Sequence, residues 1–143
     1  MSDRILDNTK VFVYGTLKPG EFYYPRYCAG KVVEEKPAIA MGQLYHLPPL
    51  GYPAMIPGEN QVQGFLLTLA NAATLSHLDE LEDYEPHRQP EDNEYNRYPI
   101  EIYDLMGKSL GMAWAYFMTL EKVQYYQGIL ISSGCWSGSV VNN

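Results

Sequence analysis

The sequence predicts an α+β fold: a small mixed β-barrel of about six strands with flanking helices. Three observations predict it. Short β-branched or alternating apolar runs recur at close spacing along the chain. One segment alone carries a clear helical stripe. The strands also cluster without the alternating helices that a doubly wound parallel sheet needs. With 143 residues, the chain can bury about two-thirds of its unfolded surface. Residues 1–143 are expected to form one domain, with 132–143 a loose tail because Ser132 to Ser139 is mostly small and polar.

The elements follow in order. Val11-Phe12-Val13 reads as a buried strand, stopped by Lys18-Pro19-Gly20, where Pro and Gly suit the central positions of a type II turn. Glu21 to Gly30, rich in tyrosine but holding Pro25, reads as a short helix or an irregular aromatic loop. Lys31–Glu34 and Ile39–Tyr45 read as strands broken near Pro37, and Leu47-Pro48-Pro49-Leu50-Gly51 as a connector. Tyr52–Ile56 reads as a short edge strand closed by a turn at Pro57-Gly58-Glu59-Asn60. Gln61–Leu69 is a further strand, with Gly64 marking a bulge or bend.

Asn71 suits the N-cap of a helix through Leu75, Leu78 and Leu81 that ends at Tyr84-Glu85-Pro86. His87–Asn93 is a loop. Strands over Glu94–Leu105 and Ser109–Met118 then form a hairpin through Met106-Gly107-Lys108. Tyr98, Ile100, Ile102 and Leu105, set against Met112, Trp114, Tyr116 and Met118, give the period-2 faces that a barrel or sandwich needs. Glu121–Ile131 reads as a last short helix.

A net charge of −7 with no cluster of Lys and Arg argues against a nucleic-acid partner. No apolar run is long enough to span a membrane, and Met1-Ser2-Asp3-Arg4 does not begin a signal peptide. Two cysteines are too few for a disulfide framework, which fits a reduced, cytoplasmic setting. His46, His77 and His87 lack metal-ligand spacing, so no metal is expected. No Gly-x-Ser-x-Gly, Walker or dinucleotide fingerprint is present. Cys28 reads as a small buried hydrophobe rather than a nucleophile.

Two stretches carry chemistry. At Tyr14-Gly15-Thr16-Leu17 a strand ends and its N–H groups run out of ladder partners. Such donors can hold a carboxylate or a developing oxyanion, and Gly15 would let a ligand come close. The plain alternative is an ordinary exit from strand to turn. The second stretch is Leu78-Asp79-Glu80-Leu81-Glu82-Asp83-Tyr84-Glu85. On a helical wheel Glu80 and Asp83 lie about 160° and 140° from the leucine stripe, and Asp79 about 100°. Glu82 lies only about 40° away. A carboxylate facing the core is costly unless paired, protonated or lining a cavity, and burial would make it a base near neutral pH. Its plain alternative is a side chain that swings to water or pairs with Arg88 or Arg97.

With Val13–Leu17, Gly42-Gln43-Leu44-Tyr45, Tyr52-Pro53-Ala54, Val62-Gln63-Gly64, Leu78–Glu82 and Tyr95-Asn96-Arg97 in this order, the chain resembles the γ-glutamylcyclotransferase-like superfamily. The form Tyr-Gly-Thr-Leu-Lys-Pro-Gly is most similar to its γ-glutamylamine cyclotransferase, or AIG2-like, branch. The resemblance implies a small β-barrel without metal or cofactor and a small γ-glutamyl substrate as partner. It implies substrate binding by Tyr14, Gly15, Thr16 and Leu17 through backbone amides, with Glu82 as acid/base and Tyr116 as a pocket tyrosine. Two departures bear on the substrate. Gly64 is followed by Phe65 where the family has Glu, and Asp83–Glu94 is longer than in compact members. The expected function is release of 5-oxoproline from a γ-glutamyl amide. The alternative is a non-catalytic module that binds a γ-glutamyl group or an amine on the same fold.

Overall fold

The structure is a computed structural model and describes residues 9–138. Its elements are β1 (Lys10–Val13), α1 (Tyr24–Tyr27), β2 (Val32–Leu47), β3 (Tyr52–Leu69), α2 (Ala73–Leu81), a 3-10 turn (Pro90–Asp92), β4 (Asn96–Tyr103), β5 (Ser109–Phe117), α3 (Leu120–Tyr125) and β6 (Ile129–Leu130). The strand order is β3-β1-β5-β4-β2-β6, and β2 also pairs with β3. Five strands thus close into a barrel and β6 adds to β2. The β1–β5 pair is parallel and the others are antiparallel, so the sheet is mixed as expected.

Alternation along the strands produces two apolar layers. One cluster draws on all five barrel strands and no helix, through Phe12, Tyr14, Ala38, Ala40, Leu44, Met55, Val62, Leu66, Ile102, Ala113, Ala115 and Phe117. It fills the lumen, and its alanines leave room for the aromatic rings. The other holds Val11, Val13, Leu67, Leu69, Tyr95, Tyr116 and Met118 together with Leu78 of α2 and Val123 of α3. That layer seals the helices onto the outside of the barrel.

Several expectations are corrected. β2 runs unbroken through Pro37, which pairs with Phe65 of β3. The β2–β4 pairing is confined to Ile39 and Tyr103, so at Pro37 the strand is bonded on one side and the missing N–H costs nothing. β3 likewise runs through Pro57–Asn60. Register jumps there from Gly42↔Asn60 to Gln43↔Ile56, which makes the expected turn a bulge. Tyr52–Ile56 is therefore paired with β2 rather than a separate edge strand. Gly64 stays in register opposite Ala38. It is glycine because a Cβ there would lie 2.2 Å from the Val13 carbonyl oxygen and 2.8 Å from the Phe12 ring.

On the β4–β5 hairpin, Tyr98, Leu105 and Met112 face out, and Ala113, Ala115 and Phe117 supply the lumen face. Trp114, Tyr116 and Met118 belong to the outer layer instead. The last helix stops at Tyr125, and β6 occupies part of the remaining stretch.

The tail is held as far as residue 138. Trp136 is 2% exposed and joins the lumen cluster. Its Nε1 donates to His46 Nδ1 at 3.1 Å, and its carbonyl accepts from Lys18 Nζ. The Gly134 carbonyl accepts from Gln63 N at 2.7 Å. One large apolar ring outweighs its small polar neighbours. Residues 139–143 lie outside the described residues. Trp136→Ala should lower unfolding stability by about 3–5 kcal/mol in a denaturant titration. A loss below about 1 kcal/mol would mean that the segment is peripheral.

Candidate functional site

The exit of β1 forms one wall of a cavity. Glu21 N donates to the Lys18 carbonyl at 2.9 Å and Gly20 has φ 91°, which is the type II turn read from Pro19-Gly20. The carbonyls of Gly15 and Thr16 accept from Lys18 N and Tyr23 N. The N–H groups of Gly15, Thr16 and Leu17 have no acceptor among the described residues. Gly15 is required by packing, because a Cβ would meet the Pro53 ring at 2.8 Å. The close approach expected of a ligand is therefore made by Pro53.

The cavity measures about 180 Å³ and is lined by residues 12–17, Tyr23, Tyr52, Pro53, Leu81, Glu82, Glu94, Tyr95 and Tyr116. It brings together all six residues expected of a site. An adjoining cleft of about 340 Å³ shares Thr16, Tyr23 and Tyr52 with it and continues along Phe22, Leu50 and Trp136.

Glu82 enters this hollow because α2 ends early. Asn71 caps the start, its Oδ1 accepting from Thr74 N at 3.1 Å. At the other end Asp83 turns left-handed with φ 55°. Asp83 N then donates to the Glu80 carbonyl at 3.2 Å and Tyr84 N to the Asp79 carbonyl at 2.9 Å. This Schellman pairing ends the helix at Leu81, before the expected Tyr84-Glu85-Pro86, and leaves Glu82 as the cap.

Among the described residues no cation reaches Glu82. Arg88 pairs with Asp83 at 3.1 Å and Glu85 at 3.7 Å. Arg97 Nε lies 2.9 Å from Asp79 Oδ1, and its guanidinium stacks on Trp114 and Tyr84. The Glu82 side chain has no hydrogen bond or ion pair among the described residues. Although partly exposed as a residue, it lines the cavity and burial governs its carboxyl group. Burial first, then the charges of Glu94 and Asp79, pushes that group up to about 8.

Glu94 is a second cavity carboxylate that sequence reasoning missed. Backbone bonds set it beside Glu82, with Glu94 N donating to the Asp83 carbonyl and Tyr95 N to the Glu82 carbonyl, both at 3.3 Å. The long excursion between them folds on buried asparagines. Asn93 Oδ1 accepts from Glu85 N at 3.1 Å, Asn93 Nδ2 donates to Asn96 Oδ1 at 2.9 Å, and Asn96 Nδ2 to the Pro90 carbonyl at 3.0 Å. Glu94 itself accepts from Tyr126 at 3.0 Å and Tyr52 at 3.4 Å, and Lys122 Nζ stands 3.9 Å away. Tyr52-Pro53-Ala54 and Tyr95-Asn96-Arg97 stood out as ordered motifs, and both tyrosines line the cavity. Nothing in the local pattern marked Glu94.

The tyrosine side chains are committed to the protein. Tyr14 donates to the Tyr116 carbonyl at 2.6 Å and accepts from Met55 N at 3.2 Å, stapling β1 to β5 and β3. Tyr116 donates to Asp79 Oδ1 at 2.6 Å, and Tyr95 to the Pro53 carbonyl at 2.6 Å. Burial raises all three phenols well above the usual tyrosine range. They stand as neutral walls beside residues 15–17, whose N–H groups have no acceptor among the described residues. Cys28 is fully buried, its thiol pushed up to about 11 by burial. Among the described residues no group of three or more His, Cys, Asp or Glu could hold a metal ion. No helix among them is long and apolar enough to cross a membrane.

Comparison with known proteins adds a family. A model described as γ-glutamyl cyclotransferase, AIG2-like, matches residues 11–138. Among solved structures, an AIG2-like protein from Mus musculus superposes with TM-score 0.70 at 20% identity, over 92% of this chain and 89% of that one. YtfP from Escherichia coli matches with TM-score 0.56 at 29% identity, over 90% and 96%. YkqA from Bacillus subtilis matches with TM-score 0.63 at 22% identity over 90% of this chain, which spans 39% of that protein. No curated protein sequence matches.

The state of Glu82 has a consequence for stability. A carboxyl group raised in the folded state contributes stability that is complete below its unfolded value near 4.5 and lost as pH rises through about 8. Glu82→Gln removes that loss. Relative to the unsubstituted protein, the variant should gain about 1–3 kcal/mol between pH 5 and pH 9, read by denaturant unfolding at both values. A pH-independent difference would show that the carboxyl is not buried.

Proposed function

The chain belongs to the γ-glutamyl cyclotransferase, AIG2-like family, and from that premise we propose that it releases 5-oxoproline from a γ-glutamyl amide. The observation that carries the proposal is that Glu82, whose carboxyl has no partner among the described residues, lines one small cavity with Gly15, Thr16 and Leu17, whose N–H groups have no acceptor among them. A hollow of about 180 Å³ suits one amino-acid-sized acyl group. The amine side of the amide extends into the adjoining cleft past Tyr23 and Tyr52.

In this reading the substrate's α-nitrogen attacks its own γ-carbonyl carbon. The nitrogen begins as an ammonium and must lose a proton, which Glu82 accepts once it is ionised. Attack forms the ring C–N bond and places negative charge on the carbonyl oxygen, where the amides of 15–17 stabilise it. Glu82 passes the proton to the departing nitrogen, and the γ-carbon–nitrogen bond breaks. Of the three protons on the ammonium, one stays on the lactam nitrogen and two end on the released amine. Ring closure is intramolecular, so holding the bent conformer supplies much of the acceleration. The tyrosine walls, bonded within the protein, frame the hollow.

Purified protein should release 5-oxoproline from some members of a panel of γ-glutamylamines and γ-glutamyl amino acids. Glu82→Gln should lower kcat by about 100-fold or more while KM changes little. In the unsubstituted protein kcat/KM should rise with pH through about 8 as the base form of Glu82 fills. Full activity in the Gln variant would remove Glu82 from the role.

A further inference from the structure

The cavity holds two carboxylates, Glu82 and Glu94, and none of its lining residues is a lysine or arginine. The two acids are not equivalent. Glu82 has no side-chain partner among the described residues, whereas Glu94 is gripped by two phenols and approached by the Lys122 ammonium. Lys122 is further tied to the Asn93 carbonyl at 2.9 Å, outside the cavity lining. A charge held by three groups yet facing a hollow without cations is placed to receive a cation from a ligand. The lining also includes Gly15, Thr16 and Leu17, whose N–H groups have no acceptor among the described residues and suit an anionic or carbonyl group. The site is therefore polarised, with a cation-accepting side at 82 and 94 and an anion-accepting side at 15–17.

We propose that Glu94 receives the α-ammonium of the substrate and sets a requirement for a free α-amine at the binding step, before any chemistry. This rests on the reading of the site as a γ-glutamyl pocket. The ammonium, once drawn between the two acids, also offsets the repulsion from Glu94 that helps keep Glu82 protonated. Binding then ionises the base that accepts the first proton. Glu94 takes no proton itself, and no bond to it forms or breaks. The role differs from that of Glu82, so the two separate by experiment.

The Glu82→Gln protein, expected to turn over its ligand at least about 100-fold more slowly, serves as the background. Two probes are titrated into it by calorimetry: γ-glutamyl-ethylamide, and N-ethylglutaramic acid, which lacks only the α-amine. The first should bind more tightly. Adding Glu94→Gln should weaken γ-glutamyl-ethylamide by about 10- to 100-fold and change N-ethylglutaramic acid by less than about twofold. Glu94→Asp, which keeps the charge but withdraws it by one methylene, should give an intermediate loss. Equal losses for both probes, or none for either, would overturn the assignment. With Glu82 intact, Glu94→Gln should raise KM far more than it lowers kcat, and a fall confined to kcat would also contradict it. If the unsubstituted protein releases no 5-oxoproline but the amine-dependent discrimination persists, the enzymatic reading falls and the role of Glu94 stands. Turnover without discrimination gives the reverse, and failure of both probes to bind overturns both.

Discussion

The structure depends on how a few cations are shared among many acids. Around the C-terminal turn of α2 stand Asp79, Glu82, Asp83, Glu85 and Glu94, and among the described residues two arginines and one lysine serve them. Arg97 goes to Asp79, Arg88 to Asp83 and Glu85, and Lys122 to Glu94. The sharing is fixed by geometry rather than by strength. Arg97 stacks on the Trp114 and Tyr84 rings, which favours the position in which its charge meets Asp79. Glu82 alone of the five is left without a cation among the described residues, in the cavity beside 14–17, and burial keeps such a group protonated until near neutral pH.

The barrel keeps that hollow open. Tyr14 is buried in the lumen and bonded to strands on both sides, which fixes where β1 ends and so where the unpaired amides of 15–17 begin. Tyr116 accepts from Tyr14 through its carbonyl and donates through its hydroxyl to Asp79. One residue thus links the lumen staple to the helix that presents Glu82. The amides and the carboxyl are set by the same chain of contacts, and neither can shift without disturbing the other.

Much of this was legible in the sequence. Glu82 lies one heptad after Leu75, and an acid on an apolar stripe is visible without coordinates. The strand-to-turn exit at 14–17 was equally visible, since Pro19-Gly20 forces the chain to leave the sheet. What was hidden had physical causes. Pro37 and Pro57 looked like strand breakers, but proline is tolerated where a strand is bonded on one side or at a bulge. The helix end depended on Asp83 adopting a left-handed conformation usually given to glycine. Trp136 was masked by small polar neighbours, although one indole can anchor a segment. Glu94 was invisible because its position follows from the backbone pairing of 82–83 with 94–95, across an excursion whose asparagines bond to one another. The tyrosines at 14 and 116 line the cavity as expected, and their internally bonded hydroxyls could not be foreseen because the partners come from distant strands and α2.

The account stands or falls on the protonation of one side chain. Carbon-detected NMR of the ligand-free protein, with Glu82 assigned through the Glu82→Gln spectrum, would follow its carboxyl carbon through a pH titration. The account predicts an inflection near 8. An inflection near 4.5, the ordinary glutamate value, would show a solvated carboxylate and contradict it.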